Sequence, residues 1–260
     1  MKKERLSIVK VGGKIVEAAD SLEKLLSDFS SIDGKKLLVH GGGRSATHIA
    51  KSLGIETKMI DGRRITDDNM LEVVTMVYGG LVNKKIVAGL QANGINALGM
   101  TGADMNIILS DKRPVSTIDY GWVGDVKAVN ADAISTLLGS NVVPVIAPLT
   151  HDGKGHILNT NADTMAGETA KALATLYDVT LIFCFEKDGV LLDESDNLSV
   201  IPALSKEKYN QLKEDNIVVG GMIPKLDNSF ATIDAGVNEV IITNASNLND
   251  LSKGTHIKGY

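Results

Sequence analysis

Short runs of aliphatic and β-branched residues alternate along the chain with stretches whose apolar residues recur at helical spacing. The runs at "LSIVKVG" (Leu6–Gly12), "KKLLVH" (Lys35–His40), "INALGM" (Ile95–Met100), "NVVPVIA" (Asn141–Ala147), "TLIFCF" (Thr180–Phe185) and "EVIITN" (Glu239–Asn244) read as strands. Between them, helices are expected over "ADSLEKLLSDFSSI" (Ala19–Ile32), "SATHIAKSLG" (Ser45–Gly54), "ADTMAGETAKALATL" (Ala162–Leu176) and "IPKLDNSFATIDAG" (Ile223–Gly236). A longer helical region from Asn69 to Gly94 carries an interruption at Gly79–Gly80. The alternation predicts an α/β fold, with a mostly parallel sheet covered on both faces by helices. Two stretches, Asn106–Asn130 and Gly189–Leu204, look like hairpins instead. A lobe boundary is expected near Leu176–Thr180, after the small-residue helix, giving lobes 1–176 and 177–260.

Composition narrows the picture. With 260 residues and 43% hydrophobic content, the chain can bury a large core. Aromatics are only 4%, and acids outnumber bases 32 to 27. Both facts argue against a nucleic-acid partner, though not against one small phosphorylated ligand in a locally positive pocket. The lone cysteine, Cys184, sits inside "TLIFCF" and reads as a buried, inert thiol, which fits a reducing, cytoplasmic setting. No signal-peptide core follows the basic N-terminal residues, and nothing approaches a membrane span of ~20 apolar residues.

Candidate chemistry gathers at strand ends and helix starts. Gly41, Gly42 and Gly43 follow the second strand, where backbone N–H groups could approach an anion closely. The alternative is a tight strand-to-helix turn with no ligand, and His40 beside it reads as a packing residue. Gly41-x-Gly43-x-x-Ala46 with Asp61 also meets a loose dinucleotide pattern, but a strand with its own Gly12–Gly13 precedes it. A Walker A loop is absent. Lys10 precedes Gly12–Gly13, Lys225 follows Gly220–Gly221 and Pro224, and Asn159, Asn161 and Asp163 stand at a helix start. Arg63 and Arg64 lie in a loop before a helix. Each alone could be a solvated side chain or a cap. Together on the carboxyl edge of one sheet they suit phosphoryl transfer. The five histidines show no metal-ligand spacing, G-x-S-x-G is absent, and "DESDN" at 193–197 reads as a hairpin turn rather than a calcium loop.

The ordered set "VKVGGK", "LLVHGGGRS", "DGRRIT", "GWVGDVKAVN", "VVPVIAPL", "ILNTNADTMAGETAKALA" and "VGGMIPKL" resembles the amino acid kinase family over nearly the whole chain. Within the family, "HGGG", "DGRRIT" and "LNTNAD" resemble the branch that phosphorylates N-acylated glutamate. The resemblance implies a three-layer α/β/α sandwich whose N-terminal lobe holds the acylglutamate and dimerises, while the C-terminal lobe holds ATP. It implies transfer of the γ-phosphoryl group of ATP to the side-chain carboxylate of N-acetyl-L-glutamate, in arginine biosynthesis. Matched residue by residue, it implies catalytic roles for Lys10, Lys225 and Asp163, and substrate contacts from Gly42, Gly43, Arg64 and Asn159. Nucleotide contacts are implied for Gly12, Glu186, Asp188, Gly189, Leu191, Ile217, Val219 and Gly221, with Mg2+ carried by the ATP phosphates and no protein metal ligand.

The chain departs from the family pattern in two places. Phe185-Glu186-Lys187-Asp188 stands where a Ser/Thr-Asp pair is usual, and the segment Leu98–Gly121 differs from the common form. An acyl group larger than acetyl, such as succinyl, is therefore a second expectation, with Lys84, Lys85, Lys112 or Arg113 as cations that could meet its extra carboxylate. About six residues precede the first strand, fewer than the extra N-terminal helix of arginine-inhibited relatives needs, so an arginine-insensitive homodimer is expected. Rival readings are a kinase of another small acceptor, a non-catalytic small-molecule sensor on this scaffold, and a Rossmann oxidoreductase.

Overall fold

The computed structural model describes residues 3–60 and 62–259; Asp61 of the loose dinucleotide pattern lies outside them. β1 (Arg5–Val11) leads through α1 (Gly13–Glu17) and α2 (Ala19–Ser30) to β2 (Lys35–His40) and α3 (Gly43–Ser52). A minimal ribbon of β3 (Met59–Ile60) and β4 (Arg63–Arg64) precedes α4 (Asp68–Val74), a π-helical stretch (Thr75–Val82) and α5 (Asn83–Ala92). Then come β5 (Ala97–Met100), β6 (Ile108–Lys112), β7 (Val123–Val129), α6 (Ala131–Gly139), β8 (Val143–Ile146), β9 (Leu149–His151), β10 (Ile157–Thr160) and α7 (Ala162–Leu173). The chain closes with β11 (Asp178–Phe185), α8 (Lys206–Glu214), α9 (Met222–Asp234), β12 (Glu239–Asn244) and β13 (Thr255–Lys258).

Seven strands form the central sheet in the order β13-β12-β11-β1-β2-β8-β5. All its neighbours pair in parallel except β13, which runs antiparallel to β12. The period of two along a strand sorts its side chains between two cores. Leu6 and Ile8 of β1 join Leu37, Val39, Leu181 and Val240 beneath α6, α7 and α9. Val9 and Val11 join Leu38, Val145, Ile182 and Cys184 against the helices of the opposite face. There α2 places Leu25, Leu26 and Phe29 inward, one side of its helical period. The result is the expected three-layer sandwich. Register pairs from Arg5↔Asp178 to Val11↔Cys184 carry the sheet across the residue-176 boundary without a break.

A second unit, a closed four-stranded barrel ordered β10-β7-β6-β9, stands beside the sheet. The antiparallel pair β6–β7 within it is the hairpin expected over Asn106–Asn130. The other hairpin, Gly189–Leu204, reduces to a single bridge, Leu191↔Val200.

The Gly79–Gly80 interruption does not occur. The backbone stays helical from Asp68 to Ala92, and its turns widen to π geometry over Thr75–Val82. Glycine accommodates the wider turn, and single π turns are frequent at functional sites. Pro224 is the third residue of α9, still within the turn where no N–H partner is lost. Cys184 is fully buried, and burial pushes its thiol up to about 12, the inert state expected of it.

Candidate active site

The parallel strands point one way, so the ends of β1, β2, β8 and β11 share an edge. The loops leaving β1 and β2 touch there. Gly41 N–H donates to the Val11 carbonyl at 2.9 Å. A Cβ on Gly41 would stand 3.1 Å from the Gly13 nitrogen, a tight approach of two backbones. Gly42 is constrained differently: its Cβ would come within 2.8 Å of the Tyr78 ring. Close approach on two sides therefore constrains Gly41 and Gly42, whereas a Cβ on Gly43 would meet Arg64 and Tyr78 only at ordinary contact distance.

His40 braces this turn. Its imidazole is fully buried, and desolvation holds its pKa down to about 4, so the ring is neutral at pH 7. The Asn83 amide donates to Nε2 at 3.1 Å, which leaves Nδ1 to donate to the Gly41 carbonyl at 2.7 Å. Asn83 also donates to the Val145 carbonyl at 2.9 Å, tying the end of the π-helical stretch to β8. The packing role read for His40 is what the contacts show.

Two cavities open on this edge. The first is lined by Gly41–Gly43, Met59, Gly62, Arg63, Arg64, Tyr78, Val123, Pro148 and Asn159–Ala162. Arg64 is 8% exposed, and its guanidinium donates to the Gly43 carbonyl at 2.7 Å and Thr47 Oγ1 at 2.9 Å. It has no carboxylate partner among the described residues. A buried guanidinium without an anion is costly, and one facing a cavity is a ready seat for a carboxylate. Asn159 donates to Thr66 Oγ1 at 2.9 Å, which fixes its amide at the wall. Tyr78 forms the back of the cavity; burial raises its pKa while the neighbouring Arg64 pulls it down.

The second cavity adjoins the first where Ala162 gives way to Asp163 and Gly43 abuts Gly13. Lys10, Gly12, Gly13, Lys14, Asp163, Phe185, Glu186, Lys187, Gly189, Met222 and Lys225 are among its lining. Lys10 Nζ lies 2.6 Å from Asp163 Oδ1, an ion pair whose side chains are 8% and 20% exposed. Asp163 Oδ1 has no aligned hydrogen-bond donor, so this pair is held by charge. Asp163 sits in the first turn of α7, capped by Asn161 Oδ1 accepting from Thr164 N–H at 3.0 Å. Lys225 Nζ stands 3.7 Å from the centroid of the Phe185 ring, and Lys10 Nζ 5.4 Å from the same centroid. One aromatic ring thus carries both ammonium groups. Burial lowers the pKa of Lys225, partly offset by Asp163.

Beyond Lys187, Gly189 and Met222 the lining turns mostly apolar, with Val190, Leu191, Ile217, Val218 and Val219 beside Glu194 around a third hollow. Of the residues the sequence singled out, Lys10, Asp163, Lys225, Gly12, Glu186 and Gly189 meet in the second cavity. Gly42, Gly43, Arg64 and Asn159 line the first, and Leu191, Ile217 and Val219 the third. Asp188 and Gly221 line none of the three: Asp188 Oδ1 accepts from the Asn247 amide, and Gly221 caps α9.

Of the four cations considered for a longer acyl group, none lines the first cavity; Arg63 does. Lys84 donates to the Gly99 carbonyl, Lys112 lies over Trp122, and Arg113 pairs with Asp125. Sequence reasoning missed Tyr78, Lys14, Phe185 and Met222 as lining residues. A lysine directly after Gly12–Gly13 was the one available signal among them.

A family model described as "Amino acid kinase family" matches residues 5–244. An acetylglutamate kinase of Phocaeicola vulgatus is 65% identical over 98% of this chain and 99% of its own length. An acetylglutamate kinase of Bacteroides thetaiotaomicron is 63% identical over the same shares of both chains. Among solved structures, the smu.665 protein of Streptococcus mutans is similar with a TM-score of 0.78 at 26% identity, over 97% of this chain and 98% of its own.

Proposed function

This chain belongs to the amino acid kinase family, and from that premise we propose that it transfers the γ-phosphoryl group of ATP to the side-chain carboxylate of N-acetyl-L-glutamate, a step of arginine biosynthesis. The observation that carries the reading is the place of Lys10, Asp163 and Lys225. They stand where a cavity holding a buried, anion-free arginine adjoins a cavity that runs on into an apolar hollow. In this reading Arg64 and Asn159 hold the amino-acid end of the acceptor, and residues 1–176 supply its seat. Residues 177–260 supply most of the nucleotide's, with Leu191, Ile217 and Val219 beside the base.

The chemistry needs no general base. A glutamate carboxylate, with a reference pKa of about 4.3, is already ionised at pH 7. One of its oxygens bonds to the γ-phosphorus as the bond from that phosphorus to the bridging oxygen of ADP breaks, and no proton moves. The obstacle is repulsion between two anions. Lys10 and Lys225 supply opposite charge on both sides of the transfer, and the backbone N–H groups of the glycine turns orient the phosphoryl oxygens. Asp163 holds Lys10 in place through the 2.6 Å pair.

Mg2+ fits as an ion carried by the nucleotide phosphates, where it supplies charge neutralisation. The two carboxylates of the second cavity are engaged by Lys10 and Lys14, and no group of three metal-ligating side chains occurs among the described residues.

The same reading includes a cytoplasmic homodimer. The helical run Asp68–Ala92 is long and apolar enough to cross a membrane, but 44% of its most apolar window is buried, and Val73, Val77, Ile86 and Leu90 pack in the core. Met76 and Leu81 remain exposed on it, an apolar surface that a second copy would cover.

A hydroxylamine trap tests the reaction class, because an acyl phosphate yields a coloured hydroxamate and a phosphate ester does not. ATP with acetylglutamate should give hydroxamate. No hydroxamate with any acylglutamate would refute the proposal and favour a sensor or another acceptor. Succinylglutamate is the second acceptor to include, since Arg63 lines the acceptor cavity and could meet an added carboxylate.

A further inference from the structure

Lys14 does not belong to the lysine pair described above, yet it lines the same cavity as Lys10, Asp163 and Lys225. It follows Gly12 and Gly13 directly, at the close approach of the two glycine turns. Its ammonium pairs with Glu186, which comes from the end of β11 across the cavity mouth. Both side chains also line a neighbouring hollow with Asn244 and Ser246, so the pair sits on a rim.

The two lysine–carboxylate pairs of this cavity differ in kind. Lys10–Asp163 is largely buried, at 8% and 20% exposure, whereas Lys14–Glu186 is half exposed, at 45% and 48%. A half-exposed pair gains little over solvation by water, so exchanging its partner is easy. A phosphate oxygen offers the ammonium a stronger, charge-assisted contact. The balance of charge favours this exchange: Lys10, Lys14, Lys187 and Lys225 line the cavity against Asp163 and Glu186. Lys187 is turned away, donating to Asn197 Oδ1 and the Glu194 carbonyl. Lys14 is the cation left with a weak partner.

We propose that Lys14 is a third phosphate-directed cation, paired with Glu186 in this structure and transferring to the polyphosphate tail of a bound nucleoside triphosphate. This rests on the reading that nucleotide phosphates occupy the Lys10–Lys225 cavity. Glu186 then acts as the counter-ion that Lys14 leaves, and it sets how much nucleotide is needed to draw Lys14 over.

Titration calorimetry of the full chain with Mg-ATP, Mg-ADP and adenosine tests it, with Lys14→Met, Lys14→Arg and Glu186→Gln. Lys14→Met should weaken ATP and ADP about tenfold, roughly the loss of one charge-assisted contact. Adenosine should bind as before, which also reports an intact fold, and Lys14→Arg should restore most of the loss. Glu186→Gln should tighten ATP severalfold, and by less when Lys14 is already Met. ATP affinity within twofold of the unsubstituted protein in Lys14→Met, or an equal loss for adenosine, would overturn the phosphate role. An equal gain from Glu186→Gln in both backgrounds would overturn the exchange. If the unsubstituted protein bound no ATP at all, the kinase reading itself would fail first.

Discussion

The cavity around Arg64 and the cavity around Lys10 and Lys225, the proposed seats of acceptor and nucleotide, share a wall but are built by different means. The acceptor side is set by backbone and by buried groups with fixed partners. Gly42 leaves no room for a side chain and Gly41 little, Arg64 is held by two acceptors, and His40 and Asn83 are fully buried. The nucleotide side relies on charge and on exposed side chains: Lys14 and Glu186 are half exposed, and Ile217 and Val219 are 39% and 50% exposed. A small acceptor must be discriminated from close analogues, which favours a preformed seat. Polyphosphate is recognised mainly by charge, which tolerates mobile lysines. The lesson is that substitutions on the two sides should fail differently, through geometry on one and through electrostatics on the other.

The sharpest break is expected where the sides meet. Lys10→Ala and Lys225→Ala should each lower kcat in the hydroxamate assay by about 10²–10³, the scale of losing one preorganised charge-stabilising donor, with the fold retained. Near-normal kcat in either folded variant would remove the assigned role. Next, Arg64→Lys should raise the acceptor KM by about tenfold or more while the ATP KM stays within about twofold, because an ammonium cannot reproduce the planar fork that reaches Gly43 and Thr47. Equal changes in both KM values would mean that the two cavities are not separately built.

Stability probes sharpen the geometric half. Gly42→Ala places a Cβ 2.8 Å from a buried tyrosine ring, so it should cost about 1–3 kcal/mol in denaturant unfolding. An unchanged midpoint would show that Tyr78 yields freely and is not a fixed wall.

His40 gives a pH signature. Its folded pKa of about 4 lies below the ordinary 6.5, so the unfolded chain binds the extra proton between those values. Stability is therefore complete above about pH 6.5 and falls as pH drops toward 4, by on the order of 3 kcal/mol from this group. His40→Gln should flatten that segment of the melting-temperature profile. A profile of equal slope in both proteins would place the proton elsewhere.

Much of this was legible in the sequence because the buried parallel strands read as apolar runs between amphipathic helices. The alternation in Leu6–Val11 even sorts residues to the two cores, and it puts Lys10 on the α7 face, where Asp163 waits. Three features were not legible. Gly79–Gly80 looks like a helix break, but tertiary packing of Val77, Tyr78 and Val82 holds the helix together through a wider turn. The barrel strands β9 and β10 have three and four residues, too short to show a period. α8 exposes most of its polar surface and buries chiefly Tyr209 and Leu212, so its apolar stripe is too thin to read. Within the site, Asp188-Gly189 carries a turn signature that does not distinguish a nucleotide contact from the hydrogen bond it makes to Asn247.

The central claim is that Lys10 and Lys225 act on charge that develops during transfer, and differential binding measures that most directly. ADP with aluminium fluoride and acetylglutamate mimics the transferring phosphoryl group, and the unsubstituted protein should bind that combination well over tenfold more tightly than Mg-ADP with acetylglutamate alone. In Lys225→Ala the advantage should collapse to within about twofold, the loss following the charge the lysine no longer supplies. An advantage of undiminished size in that variant would contradict the account.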